Sequence, residues 1–350
     1  MANSKTLAPQ MRPLIDKVGF PHTMEQTEAF IARVKELSGD QWEARRNACH
    51  IKADTSWKAA ICPHDDYSYV GYLYPLVLQN LKSKTVFIFG VAHKAGLFNL
   101  SDNLIFDDFA TWHGIKSPVP VSGLRKALLA KIPETSYEVH QPMQQAEHSV
   151  EAMLPILQYY NNEAEIVPIL VPPMPFDKMT RIAAELTEAI AAIASERHLK
   201  WGEDFSMLIT TDAVHYGDQG WGNNNQCKRF GVDKEGYMET VEFENHLIDD
   251  CLAGRIDESH LHAFFDQTVD SANYQLHKWP WCGRYSVPFG LLTMYKLAKK
   301  MNLPVPEGKL LGYSTSITHD PVPVADLGGM GVTAPANLRH WVGYAALGYV

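Results

Sequence analysis

Three histidines, His64, His93 and His215, and one aspartate, Asp212, stand just beyond short apolar runs that read as β-strands. Neutral imidazole is a common ligand for iron, zinc and copper, and its charge changes near neutral pH, so such residues suit metal binding or proton transfer. Taken alone, a histidine is more often a hydrogen-bonded surface or core residue, and fifteen histidines in one chain make some chance placements expected. Three at strand exits weigh more, because ligands in open α/β sheets collect beyond the carboxyl ends of the strands. Cys282 adds a soft donor in Pro280-Trp281-Cys282-Gly283-Arg284, ahead of a helix-like stretch where helix-terminus charge and Arg284 both favour a thiolate. A buried, inert thiol is the competing reading, and spacing alone does not bring Cys282 to the histidines.

His215 and His148 are the acid/base candidates, with Asp212 orienting one of them. An Asp212–His215 pair that merely caps the strand–helix turn is the plainer alternative. Glu147 and Glu151 flank His148 at helical spacing, which places them on one exposed helix face. Tyr67, Tyr69, Tyr216, Trp281 and Tyr285 lie beside these residues and either wall an aromatic pocket or pack the core. The substrate contacts expected are Tyr67, Tyr69, Asp66, Tyr216 and Arg284.

The elements that must position these groups are visible in the pattern. Thr23 and Gln26 have the spacing of a capping box, and Phe30, Ile31, Val34 and Leu37 recur on one face, which predicts a helix over 24–38. Strands are expected over 57–62, 85–90, 166–171, 206–211, 310–316 and 342–350, and further helices over 72–81, 177–197, 238–252 and 285–301. Alternating strands and helices imply an α/β domain with a central, mostly parallel or mixed sheet flanked by helices. The stretches 220–226 and 320–337 read as loops, and Gly328-Gly329-Met330-Gly331 as a mobile loop, since it lacks the strand–turn–helix setting of a phosphate loop.

Composition bounds the function. Of the 350 residues, 46% are hydrophobic and 20% charged, which supports a globular core rather than disorder. A net charge of −9 with no basic, aromatic-interleaved run excludes a nucleic-acid partner. No secretory signal and no apolar run of membrane-spanning length is present, so no membrane partner is expected. Five cysteines at irregular spacing argue against a disulfide framework and for the cytoplasm.

Five segments in order also resemble the Memo family, which includes the AmmeMemoRadiSam system protein B. Ile61-Cys62-Pro63-His64-Asp65-Asp66-Tyr67-Ser68-Tyr69-Val70-Gly71 resembles its Ala-Pro-His-Ala-Gly-Tyr-x-Tyr-x-Gly signature, and Phe89-Gly90-Val91-Ala92-His93 its Leu-Gly-Pro-Ser-His. Glu147-His148-Ser149-Val150-Glu151, Thr211-Asp212-Ala213-Val214-His215-Tyr216 and Cys282-Gly283-Arg284 match three further motifs. The resemblance implies one Memo-like domain over 1–350, with 1–16 as an N-terminal extension, 318–340 as an inserted loop, and a fold like that of class III extradiol dioxygenases.

It also implies a metal site of His64, His93 and Cys282, with Fe(II) the expected ion and Cu or Zn the alternatives. The function implied is that of a metal-dependent redox enzyme resembling non-haem iron dioxygenases, acting with O2 on an aromatic or phenolic small molecule. A non-catalytic, peptide-binding adaptor with a protein partner and a zinc hydrolase are the alternatives, and a homo-oligomer is left open. A thiolate in place of the dioxygenase carboxylate alters the redox preference of iron, so the chemistry does not transfer with the fold. Asp65 and Asp66 replace the usual Ala-Gly; solvated turn residues are the expectation there, and metal ligation the alternative.

Overall fold

The computed structural model describes residues 10–220 and 226–350. Twelve strands are present among them: β1 (Met11–Arg12), β2 (Ala59–Cys62), β3 (Thr85–Val91), β4 (Leu104–Phe106), β5 (Thr111–Trp112), β6 (Val119–Pro120), β7 (Tyr137–Val139), β8 (Glu165–Val171), β9 (Phe205–Thr210), β10 (His215–Gly217), β11 (Gly308–Thr315) and β12 (His340–Tyr349). Nine form one sheet in the order β10-β12-β2-β9-β3-β8-β4-β7, with β11 paired to β12, while β1, β5 and β6 make a small separate sheet. The centre, β2-β9-β3-β8, is parallel. Antiparallel β12 closes one side and antiparallel β4 the other, so the sheet is mixed, as the alternating pattern implies.

The central strands read as continuous apolar runs because both faces are covered. In β3, Phe87 and Phe89 point into one core, against the helices Phe176–Arg197 and Ser286–Lys300. Val86 and Ile88 point into the other, against Met24–Ala48 and Leu154–Tyr160. Alternation by one residue thus feeds two cores from one strand.

Several boundaries differ from expectation for identifiable reasons. The capping box at Thr23 is formed, but the first helix runs on to Ala48. Tertiary contacts support its second half: the Trp42 indole N–H donates to the Tyr72 carbonyl at 2.8 Å, and Arg45 Nε to that of Leu311 at 2.8 Å. The single helix expected over 72–81 is two short ones, Tyr67–Val70 and Tyr74–Leu78, the second with Pro75 in its first turn. Lys234–Cys251 starts earlier than its apolar pattern because Asp233 caps it, accepting the Gly236 N–H at 2.9 Å.

Of the loop expected over 220–226, residues 221–225 lie outside the described residues. The glycine cluster at 328–331 is not a free loop. Leu327 and Met330 are buried, Gly331 N–H donates to the Val18 carbonyl at 3.0 Å, and Gln26 Nε2 donates to that of Leu327 at 3.1 Å. Gly328 and Gly329 supply the left-handed backbone (φ 64° and 91°) that this packing requires. No helix of the described residues is long and apolar enough to cross a membrane.

Candidate metal centre and adjoining cavity

The sheet order does the positioning. Strands β2, β9 and β3 are parallel neighbours, so their carboxyl ends open side by side and present His64, Asp212 and His93 in a row. Cys282 comes from the turn that precedes the helix Ser286–Lys300. Its loop is tied to the end of β9: Gly283 N–H donates to Thr211 Oγ1 at 3.0 Å, and Ser286 Oγ to the Thr210 carbonyl at 3.1 Å. A side chain at Gly283 would collide with Thr211, so glycine is needed for this close approach.

Two sets of three donors meet at His64: His64, His93 and His148 form one, and His64, Asp212 and Cys282 the other, each set within 4.8 Å. His64 Nε2 lies 3.5 Å from Cys282 Sγ and 3.6 Å from an Asp212 carboxylate oxygen. The His64 and His93 rings meet edge-on at 5.1 Å, while His148 stacks on His93 at 4.9 Å. His93 also interacts with the Cys282 sulfur, which accepts the Asp212 backbone N–H at 3.0 Å. His64 thus meets Cys282 on one side and the His93 ring on the other, and among the described residues the two donor sets share His64 alone, with His93 in one and Cys282 in the other. Asp212 is set against His64, accepting that residue's backbone N–H at 3.0 Å.

The electrostatics of the donors follow from their burial. Burial lowers His64 well below the ordinary imidazole range, helped by His93 and His148. Burial also raises Asp212, helped by Asp65 and Asp66, and the Cys282 thiol, helped by Asp212. His64 Nδ1 is buried with no hydrogen-bond partner among the described residues. An imidazole, a thiol and a carboxyl held neutral by burial fit a transition-metal ion, whose charge would stabilise the anionic forms.

Glu147 is the support that sequence reading placed wrongly. Glu147 and Glu151 do not share an exposed helix face: the helix Gln141–Ala146 has ended before Glu147, and both carboxylates are buried. Glu147 accepts from His93 Nδ1 at 2.9 Å and from the backbone N–H groups of His93, His148 and Ser149 at 2.8, 2.9 and 2.9 Å. Although burial opposes charge on both, their attraction prevails: Glu147 is held well below the usual carboxylate range and His93 is pushed up to about 10. Carboxylate contact at Nδ1 fixes the ring and leaves Nε2 as its donor atom, the usual support of a metal-bound histidine. Arg12, fully buried, pairs with Glu151 and donates to the Glu147 carbonyl, closing this support from beneath. No sequence signal marks Arg12, whose strand is two residues long.

A cavity of about 640 Å³ adjoins the donors, and His93, His215, Cys282, Arg284 and Tyr285 lie on its wall. Tyr67, Tyr69 and Tyr216 are not among its lining residues. Tyr67 and Tyr216 are core: their hydroxyls donate to the carbonyls of Ala152 at 2.7 Å and Gly231 at 2.9 Å. Tyr69 donates to the Ala334 carbonyl at 2.6 Å, and buried Asp66 accepts from Thr333 Oγ1 at 3.0 Å, so both anchor the 320–337 segment. Asp65 likewise is not a solvated turn residue, since Tyr344 donates to its carboxylate at 2.6 Å.

Fold and site together define an α/β protein with a nitrogen- and sulfur-rich donor cluster at the exits of parallel strands. The family described as Memo-like protein matches residues 29–325, and the chain belongs to that family. No curated protein matches it significantly.

Proposed function

We propose that this protein is a metal-dependent redox enzyme acting with O2 on an aromatic or phenolic small molecule. The observation that supports this reading is the pair of donor sets joined at His64, one with His93 and one with Cys282, beside a cavity large enough for a small ring compound. His64 and His93 would hold the ion through imidazole nitrogen and Cys282 through sulfur; Fe(II) is the ion we favour, with Cu or Zn as alternatives. When bound, such an iron supplies open coordination positions and reducing equivalents for oxygen chemistry.

The protein's own groups have distinct tasks. Glu147 locks the His93 ring, and Asp212 fixes the backbone of His64. His215, lowered by burial to about 3, is a neutral imidazole on the cavity wall that would accept a hydrogen bond from a phenol hydroxyl. His148, stacked on His93, is the second proton-handling candidate. Apolar wall residues such as Val171 and Pro173 exclude water from the ring.

The test is anaerobic reconstitution with Fe(II), followed by oxygen-uptake measurements over catechols and other phenols. Uptake that depends on metal and disappears in His64→Ala and Cys282→Ala is expected. No metal-dependent uptake over the panel overturns the redox reading, and stoichiometric native zinc would redirect it to hydrolysis.

A further inference from the structure

The cavity contains one group that the redox reading leaves unexplained. Arg284 stands on its wall, two residues beyond Cys282, and no carboxylate among the described residues lies within ion-pair distance of it. Its contacts are with neutral groups: Nη1 donates to the Trp281 carbonyl at 3.1 Å, and the guanidinium lies 4.9 Å from the Tyr285 ring centre. Its Nε is buried with no hydrogen-bond partner among the described residues. Other arginines drawn into the fold are treated differently. Arg12 holds Glu151 and Arg125 holds Asp107. A covered guanidinium with an unused N–H is costly to leave without an anion, since both desolvation and a lost hydrogen bond count against it.

The rest of the wall suits such an anion. No aspartate or glutamate is among the described residues that line the cavity, although acidic residues outnumber basic ones in the chain by forty to thirty-one. Gln226, Gln275 and His277 add polar groups. Burial and the neighbouring Arg284 keep His277 below the usual imidazole range, so it brings no second full charge. Arg284 is the one arginine or lysine among the lining residues. A planar fork of N–H donors with single charge matches a carboxylate in geometry and in charge. Val91, Ala92 and Leu100, also on the wall, give an attached ring an apolar bed.

We propose that this cavity takes a small aromatic acid, with Arg284 clamping its carboxylate while the ring reaches toward His93 and Cys282. The inference rests on the redox reading for the aromatic part of the ligand, and on Arg284 for the acid. Free carboxylate-bearing compounds are then the physiological class, and neutral catechols are incomplete ligands.

Calorimetric titration of the full chain, without added metal, tests this by comparing 3,4-dihydroxybenzoate, catechol and phenyl phosphate. The benzoate should bind roughly 10-fold to 100-fold more tightly than catechol, the difference expected for a charge-assisted hydrogen-bonded pair. Arg284→Met should bring the two ligands to within about twofold of each other, and Arg284→Lys should restore part of the preference, as a point charge without the fork. Equal binding of the benzoate and catechol by the native chain, binding of neither, or a preference that survives Arg284→Met overturns the clamp. Tighter binding of phenyl phosphate than of the benzoate overturns the carboxylate assignment. If Arg284→Met does not fold, the three-ligand comparison on the native chain still decides. Preference for the acid without oxygen uptake sinks the redox reading and leaves the clamp; catechol-driven uptake with no acid preference does the reverse.

Discussion

Two buried glutamates, Glu147 and Glu244, show how differently one side chain behaves at similar depth. Glu147 faces the His93 ring and three backbone N–H groups, and it is held ionised. Glu244 sits under the Cys282 loop and faces only neutral donors: the indoles of Trp279 and Trp281 at 2.6 and 2.8 Å, the Val214 N–H at 3.1 Å and the Tyr313 hydroxyl at 3.3 Å. Burial dominates there, and four donors only partly offset it, so the carboxyl is raised to about 7. Burial alone therefore does not set the charge; a cationic partner does. One glutamate is built to steady a ligand ring, and the other to staple Trp281 to Val214 from below.

The largest expected effect is on stability, at Glu244. Its folded value, about 7, lies above the ordinary 4.5, so the folded state binds the proton more tightly. The associated stability is fully present below about pH 4.5 and is lost as pH rises through about 7. Glu244→Gln removes this dependence, so native stability relative to the variant should fall by about 3 kcal/mol between pH 4.5 and 8. Urea unfolding at a series of pH values measures it, and parallel curves for the two proteins would erase the contrast.

A smaller effect belongs to Glu147. Glu147→Gln keeps the shape but removes the charge beside His93, and metal retention should weaken about 10-fold to 100-fold, as measured by competition with a chromophoric chelator. Glu244→Gln in the same assay should shift retention by less than about threefold, since its carboxyl bonds to none of the His64, His93, His148, Asp212 or Cys282 side chains. Comparable losses in both variants would mean that the two sites are not separable. The smallest change is Tyr313→Phe, which deletes the longest of the four bonds to Glu244. It should cost about 0.5–1.5 kcal/mol and move the pH midpoint of stability upward. A downward shift would show that Tyr313 does not stabilise the ionised form.

Much of this arrangement was legible in the residues. His64, His93 and Asp212 could be placed at strand exits because buried parallel strands are short, continuous apolar runs with clear ends. The arrival of Cys282 could not be read from spacing, since it depends on the Thr211 and Ser286 ties that fold its loop onto β9. Tyr67 and Tyr216 misled because an aromatic beside a motif residue looks the same whether it faces a cavity or the core. Glu147 misled through helical spacing in a segment where the helix has already ended. Arg12 belongs to a two-residue strand and leaves no periodic trace, yet its partner Glu151 lies 139 positions away.

The first strand of the main sheet among the described residues, β2, lies between β9 and β12. During synthesis from the amino end, the strand that leads to His64 therefore has no neighbour on either side until residue 210, and lacks one flank until β12 has emerged. Its pairings are all long-range, the kind that form late and slowly. A nascent chain holds this histidine unplaced until well after its own strand has emerged, and a protein cut short before β12 would carry a β2 with one open edge.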